Sequence, residues 1–281
     1  MNFNFINSNY KRILIVTFPL ILFLLWFLFP LYWMLITSIK PDKELATLQN
    51  PLFVNNPTLN QYKNLIVNSD FLIWLRNSFI VSISATIFSV IISSFAAYSI
   101  SRIKIVGRWF LSRSVLFSYL VPRSILLIPL FSILQSLSLI DTLYGLSFVY
   151  LTFMVPFCTW LLIGYFSNVP YEVEECAIID GCTRLQVLFK ITIPMAMPGI
   201  ITAGLFSFIL SWQEFLYPLV FNTHSLREVV PVGISYLITG DLFEWGKIMA
   251  AGVIFTFPVI LAYLPIQKYL VEGITAGAVK G

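Results

Sequence analysis

Charge is scarce in this chain: 17 basic and 13 acidic residues stand among 281, or 11% of positions. A soluble globular chain carries roughly a quarter. Too few polar side chains remain to cover a folded surface in water, so lipid has to be part of the solvent. Histidine is reduced to His224, and cysteine to Cys158, Cys176 and Cys182, which form neither a C-x-x-C pair nor a set with histidines. A tetrahedral zinc site draws on about four such ligands, so no metal is expected. Cys158 lies in an apolar run and reads as a small core residue. A structural disulfide between Cys176 and Cys182 is not expected in the cytoplasmic loop assigned below. The net charge is only +4 and the basic residues form no long run, so a nucleic-acid partner, which needs a basic face, is not expected either. The sequence has no G-x-x-x-x-G-K-[ST] loop to cradle ATP phosphates, no nucleophile elbow and no H-E-x-x-H motif. The chain is not read as an enzyme, and any energy source must reach it through a partner.

Apolar residues are what it has in abundance: 58% of positions, with a mean hydropathy of +0.88. Crossing the hydrocarbon takes about 20 apolar residues in a helix. Six segments qualify: Ile13 to Ile39; Asn77 to Ser101; Ser114 to Ile140, interrupted only by Arg123; Thr142 to Tyr171; Ile191 to Gln213, continuing past Glu214 to Val220; and Ile248 to Gln267. The third is expected to end near Leu134, with a tight turn before the fourth. The first follows Lys11 and Arg12 but is too long for a signal-peptide core and is not followed by an A-x-A-like cleavage site, so it reads as a retained helix. Prolines 19, 30, 122, 129, 156, 198, 218 and 258 fall in these runs, and each removes an intrahelical hydrogen bond. Bent helices around a cavity suit a transporter.

With the N-terminus inside, the inner segments hold ten basic residues and the outer segments six, with Arg123 left in a span. Cytoplasmic loops carry the lysine and arginine excess, so both termini are expected in the cytoplasm. The expected organisation is a cytoplasmic N-terminus at 1–12, a six-helix all-α transmembrane domain at 13–271 and a cytoplasmic tail at 272–281.

The stretch from Asn168 to Pro194 carries the most information. Pro170, followed by Glu172, Glu174 and Glu175, matches the positive end of a helix dipole. Asp180-Gly181 forces a turn, because Gly accepts positive φ without steric cost. Thr183 with Gln186 is a capping-box pattern opening a second short helix, which carries Leu185, Leu188 and Phe189 as an apolar face and closes at Pro194. A rigid helix–turn–helix at the membrane face is a docking element.

The order Glu175-x-Ala177-x-x-Asp180-Gly181, followed by Phe189, Ile193, Pro194 and Pro198, resembles the EAA loop of ATP-binding-cassette importer permeases. Cys176 and Cys182 stand where that family commonly has alanine, and both are small enough for the same contact. Tyr32-Trp33-Met34-Leu35 through Ser38-Ile39-Lys40-Pro41, Asn77-Ser78, Ala96-Ala97-Tyr98 and Trp212-Gln213-Glu214-Phe215 are similar to stretches of the carbohydrate-importer branch. The ending Gly273 to Gly281 is similar to the tail of maltose-type permeases. The resemblance implies a type I ABC importer permease fold in a bacterial cytoplasmic membrane. Its coupling helices, at about 168–194, would sit in a cleft of the ATPase through Glu174, Glu175, Ala177, Asp180, Gly181, Leu185 and Phe189, with Gly277 and Lys280 in an ATPase-contacting tail. The implied partners are a second permease subunit, two ATPase subunits, an extracytoplasmic solute-binding protein, a carbohydrate cargo and the lipid bilayer. No cofactor is bound by the chain itself, since ATP and Mg belong to the ATPases.

Within the spans, Glu214 is the acid that stands out. An intramembrane carboxylate is by default a functional hypothesis, and Glu214 with Gln213 and Trp212 is expected on the translocation pathway. The alternative for Glu214 is a snorkelling acid near the helix end. Trp212 could stack on a sugar or belong to the interfacial aromatic belt. Arg123 is read as structural, paired with a carbonyl or with Asp141, and His224 and Arg227 as a solvated outer face. Two other functions compete. A stand-alone secondary transporter would need ion-coupling acids in its spans, for which Glu214 is the single candidate. A non-transporting membrane protein would have no use for a docking loop.

Overall fold

The computed structural model describes residues 13–47, 51–103, 106–222, 224–239 and 242–278. Among the described residues four helices are long and apolar enough to cross a membrane, and up to six spans result if each of two sharply bent helix pairs counts as one. After a π turn at Ile13–Thr17 the order is α1 (Phe18–Ser38), α2 (Asp42–Thr47), α3 (Asn60–Val67), α4 (Phe71–Arg102), α5 (Arg108–Leu120), α6 (Arg123–Ser136) and α7 (Leu143–Ser167). Then follow α8 (Tyr171–Ile179), α9 (Arg184–Val187), a second π turn (Leu188–Thr192), α10 (Ile193–Met195), α11 (Met197–Trp212), α12 (Leu216–Phe221), α13 (Val230–Ser235) and α14 (Trp245–Ala278). A hairpin of two-residue strands, Ile238–Thr239 and Leu242–Phe243, precedes α14.

The third apolar run is not one straight span. It breaks between α5 and α6 with a 96° bend. Pro122 is the cause: a residue before proline is pushed out of the α region, and Val121 sits at φ −64°, ψ 125°. The fifth run is also divided. The helical segment Arg184–Met195 meets α11 at 81°, so Ile191 to Met195 belong to the loop side of the bend rather than to the span. Ala196 forms the corner at φ −93°, ψ 16°, and Pro198 stands in the first turn of α11, where its missing N–H is not needed. The expected turn after the third run is present, with α6 ending at Ser136 and left-handed backbone at Ser138 and Asp141.

The chain forms two compact units, Met1–Ser69 with Tyr236–Thr256 and Asp70–Ser235 with Phe257–Gly281. In the first, Gln61 is buried and donates from Nε2 to the Lys40 carbonyl (3.1 Å) and to Asp42 Oδ1 (2.7 Å). A Cβ on Gly246 would lie 2.3 Å from the Gln61 amide carbon, so any larger residue there would displace that amide from its two acceptors. Along α1 residues 15–32 are all exposed, as a helix bathed in lipid can be.

The second unit is built around α4, which packs along α7 and α11. Ser78, Ser82, Ala85, Ser89, Ser93 and Ala97 recur every three or four residues along α4 and are all buried. Small side chains let helix backbones approach where lipid supplies no hydrophobic drive. Their hydroxyls are used across the seams: Ser84 Oγ lies 2.9 Å from Ser147 Oγ, Ser93 donates to the Val155 carbonyl (3.1 Å), and Cys158 Sγ lies 2.8 Å from Ser207 Oγ. Larger residues fill the two ends, Val149, Tyr150, Phe153, Tyr217 and Phe221 at one and Leu162, Phe166 and Leu188 at the other.

Candidate functional site

The stretch 168–194 folds as its sequence dictates. Pro170 is the N-cap of α8, with Glu172 and Glu174 in the first turn, where the helix dipole favours acids. Gly181 ends the helix at φ +90°, and the amides of Gly181 and Cys182 close on the carbonyls of Ile178 (3.0 Å) and Ala177 (2.9 Å). The capping box is complete. Gln186 N donates to Thr183 Oγ1 (3.3 Å), and Thr183 N to Gln186 Oε1 (2.8 Å).

On this scaffold Glu175, Asp180 and Gly181 are exposed, as are Ile179 (83%), Leu185 (60%) and Phe189 (54%). The expected apolar stripe divides. Leu188 is buried with Val187, whereas Leu185 and Phe189 face outward, Phe189 resting edge-on against Phe95 of α4 at 5.8 Å. Ala177 is buried. Glu174 differs most from its sequence-based assignment. It shares the inward face of α8 with Ala177, three residues on, and its side chain is 0% exposed, so it presents nothing to a docking partner. Its Oε1 lies 3.0 Å from Arg102 Nε and accepts from Thr192 Oγ1 at 2.8 Å. Arg102, only 7% exposed, also donates from Nη2 to the carbonyls of Phe166 (2.6 Å) and Val169. The sequence marks Arg102 only as a basic residue after the second apolar run and Thr192 only as a residue of the stretch 168–194. A buried charge needs a partner, yet nothing in the sequence says that Glu174, among three neighbouring acids, is the one turned inward.

The second candidate group also separates. Trp212 is buried, edge-on to Phe79 (4.7 Å) and stacked on Phe208 (5.2 Å). Gln213 is exposed. Glu214 is 6% exposed and therefore does not snorkel, nor is its carboxylate open at the surface of the chain. Oε2 accepts from Arg123 Nη1 at 2.7 Å, while Oε1 receives the amides of Leu216 (3.1 Å) and Tyr217 (3.4 Å) at the start of α12. Arg123, 34% exposed, has its guanidinium 4.1 Å from the centre of the Phe153 ring. Arg123 thus pairs with Glu214 rather than with Asp141, one of the two kinds of partner expected for it. Asp141 instead pairs with Arg227 at 3.8 Å, and its Oδ1 accepts the His224 amide at 3.2 Å. One signal for the Arg123–Glu214 pair was present in the sequence: two opposite charges stranded in apolar spans are expected to find each other. Gly277 falls at the end of α14, and Lys280 lies outside the described residues.

Residues 89–276 match the family model of the binding-protein-dependent transport system inner membrane component. Among curated proteins, the chain is 35% identical over 254 residues to the sulfoquinovosyl glycerol transport system permease protein SmoH of Agrobacterium fabrum, covering 90% of this chain and 89% of that one. It is 36% identical over 275 residues to the trehalose/maltose transport system permease protein MalG of Thermococcus litoralis, covering 96% and 98%. Among solved structures, a chain of a bacterial ABC transporter involved in the import of the acidic polysaccharide alginate superposes with a TM-score of 0.79 over 92% of this chain and 97% of that one, at 23% identity, a likeness of fold alone. The matched stretch contains the capped loop, the two bends, α7, α11 and the end of α4, and the chain belongs to the family of binding-protein-dependent transport inner-membrane components, as a multi-pass inner-membrane permease and not an enzyme.

Proposed function

We propose that this chain is one of two permease subunits of an importer that moves a sugar or oligosaccharide into the cell. An extracytoplasmic solute-binding protein delivers the cargo, and two cytoplasmic ATPase subunits hold ATP and Mg and drive the cycle. The carrying observation is the capped helix–turn–helix that exposes Ile179, Leu185 and Phe189 beside Glu175 and Asp180. Apolar side chains on a rigid, solvent-facing loop are best accounted for by a protein partner. The excess of basic residues on the same side of the membrane supports placing this loop, and both termini, in the cytoplasm. The named cargoes of the relatives, sulfoquinovosyl glycerol and trehalose/maltose, support the solute class. A stand-alone secondary transporter is disfavoured, because Glu214, its candidate coupling acid, is already neutralised by Arg123.

For the pathway, the exposed Gln213 and the open edge of Arg123 are the groups able to meet a solute, with Glu214 orienting the guanidinium. Trp212 is a packing residue of that helix. The tail from Gly277 to Lys280 is assigned to the ATPase side by resemblance. The test is retention of the ATPase subunits on washed membranes. Ile179→Glu with Leu185→Glu should release them while the permease stays inserted; full retention would refute the docking reading.

A further inference from the structure

Three chain segments meet around the Arg102–Glu174 pair. Arg102 comes from the last residue of α4, Thr192 from the π turn that leads into α10 and the bend before α11, and the Phe166 and Val169 carbonyls from the end of α7 and the residues that lead into α8. Arg102 takes the Phe166 carbonyl at this helix end and the Val169 carbonyl just beyond it while holding the loop acid. We infer that this buried knot is the link through which displacement of the docking loop moves α4, α7 and α11, with Arg102, Glu174 and Thr192 as positioning residues for transport. The inference rests on the ATPase-docking reading above.

Three observations carry it. First, α8 is short and two-faced. Ile179 and Glu175 face out, while Glu174 points in, so a push on the outer face loads the knot directly. Second, stability alone does not call for such a device. A buried ion pair is commonly no more stable than well-packed apolar residues of the same volume, and Leu188, Val187 and Ala177 already supply apolar anchoring at this place. Fixed charge and directed hydrogen bonds add a defined geometry instead. Third, the knot is not saturated. The Arg102 N–H at Nε is 3.0 Å from Glu174 Oε1 but is not aligned as a hydrogen bond, and Glu174 Oε2 has no hydrogen-bond partner. A spare buried acceptor is costly in one arrangement, and it lets the guanidinium and the carboxylate slide to a second arrangement without parting. Coupling requires an element with two such arrangements. Thr192 closes a π turn, a helix defect that often accompanies function, and its Oγ1 lies 3.5 Å from the Val187 carbonyl as well.

The test uses the assembled complex in proteoliposomes, with the second permease, both ATPases and the solute-binding protein present. Glu174→Gln and Thr192→Val are near-isosteric and leave the outer face of the loop untouched, while Thr192→Ser keeps the hydroxyl. Two quantities are read: ATPase retained per permease, and the ratio of solute-stimulated to basal ATP hydrolysis. Retention should match wild type in all three variants. The ratio should fall at least about tenfold in Glu174→Gln and Thr192→Val, the factor a charge-assisted hydrogen bond commands, and stay at the wild-type value in Thr192→Ser. A wild-type ratio in either Glu174→Gln or Thr192→Val overturns the inference. So does loss of retention in parallel with the ratio, which would make the knot a support of the docking face only. If wild type itself holds no ATPase at the membrane, the docking reading fails, and the inference with it.

Discussion

Replacing Glu214 with alanine removes two interactions at once, and the structure separates their sizes. Oε2 pairs with Arg123 at 2.7 Å, with Glu214 6% and Arg123 34% exposed. Stripping one partner from a fully buried pair costs about 3–5 kcal/mol. Arg123 reaches solvent over a third of its side chain, so about 2 kcal/mol is the appropriate share here. Oε1 caps the amides of Leu216 and Tyr217, and a lost cap costs about 1 kcal/mol. Glu214→Ala is thus expected to destabilise the chain by about 3 kcal/mol, whereas Glu214→Gln, which keeps an oxygen at the cap, should cost about 2 kcal/mol. The assay is denaturant unfolding of the purified chain in detergent, run as a double-mutant cycle with Arg123→Ala. A real pair gives a coupling energy of about 2 kcal/mol. Single-mutant effects that add within about 0.5 kcal/mol would refute the pair and return Glu214 to the status of an acid without a structural partner.

Gly181→Pro cannot adopt the φ of +90° found there, and Asp180→Lys reverses the charge beside it; both should abolish solute-stimulated ATP hydrolysis with insertion intact, and normal stimulation in either would refute the role of the turn. Trp212→Ala should cost about 3–5 kcal/mol of stability, read by the same unfolding assay, because a fully buried indole packed between Phe79 and Phe208 is lost. Gln213→Ala should leave stability within about 0.5 kcal/mol and lower uptake per assembled complex; unchanged uptake would place the path along another face. In a variant lacking the native cysteines, a membrane-impermeant thiol reagent applied outside should label a cysteine placed at Asn60 but not one at Lys280.

Local rules made the loop legible. Pro170, Gly181 and the Thr183–Gln186 box act through their own backbone neighbours, so the pattern that suggests them is nearly the contact itself. The apolar runs were legible for the same reason, as lipid demands about 20 apolar residues wherever a straight helix crosses. Which side chain turns inward was harder to read. Glu174 and Glu175 are indistinguishable as letters, and their roles diverge because one of them lands over the end of α4. For Arg123 the sequence offers a carbonyl or Asp141, 18 positions on; its partner Glu214 is 91 positions away, brought near by the packing of α7, α6 and α12. The break at Pro122 was visible as a proline but not as a 96° corner, since proline in a membrane helix often produces only a gentle bend.

That corner limits what can lie against it. α5 has 13 residues and α6 has 14, each about 20 Å long and too short to cross about 30 Å of hydrocarbon. At the corner Val121 and Pro122 leave the helical ladder: the Val121 amide reaches the Ser118 carbonyl at 3.4 Å, and Pro122 has no N–H to offer the carbonyls that follow. Hydrocarbon cannot solvate such groups, and irregular backbone at that depth is tolerated only against protein or a hydrated space. The corner is followed at once by Arg123, whose charge makes the same demand. The side of the molecule bearing residues 121–123 is therefore one that protein or a hydrated space has to cover, because a lipid tail laid against it would leave the guanidinium dry.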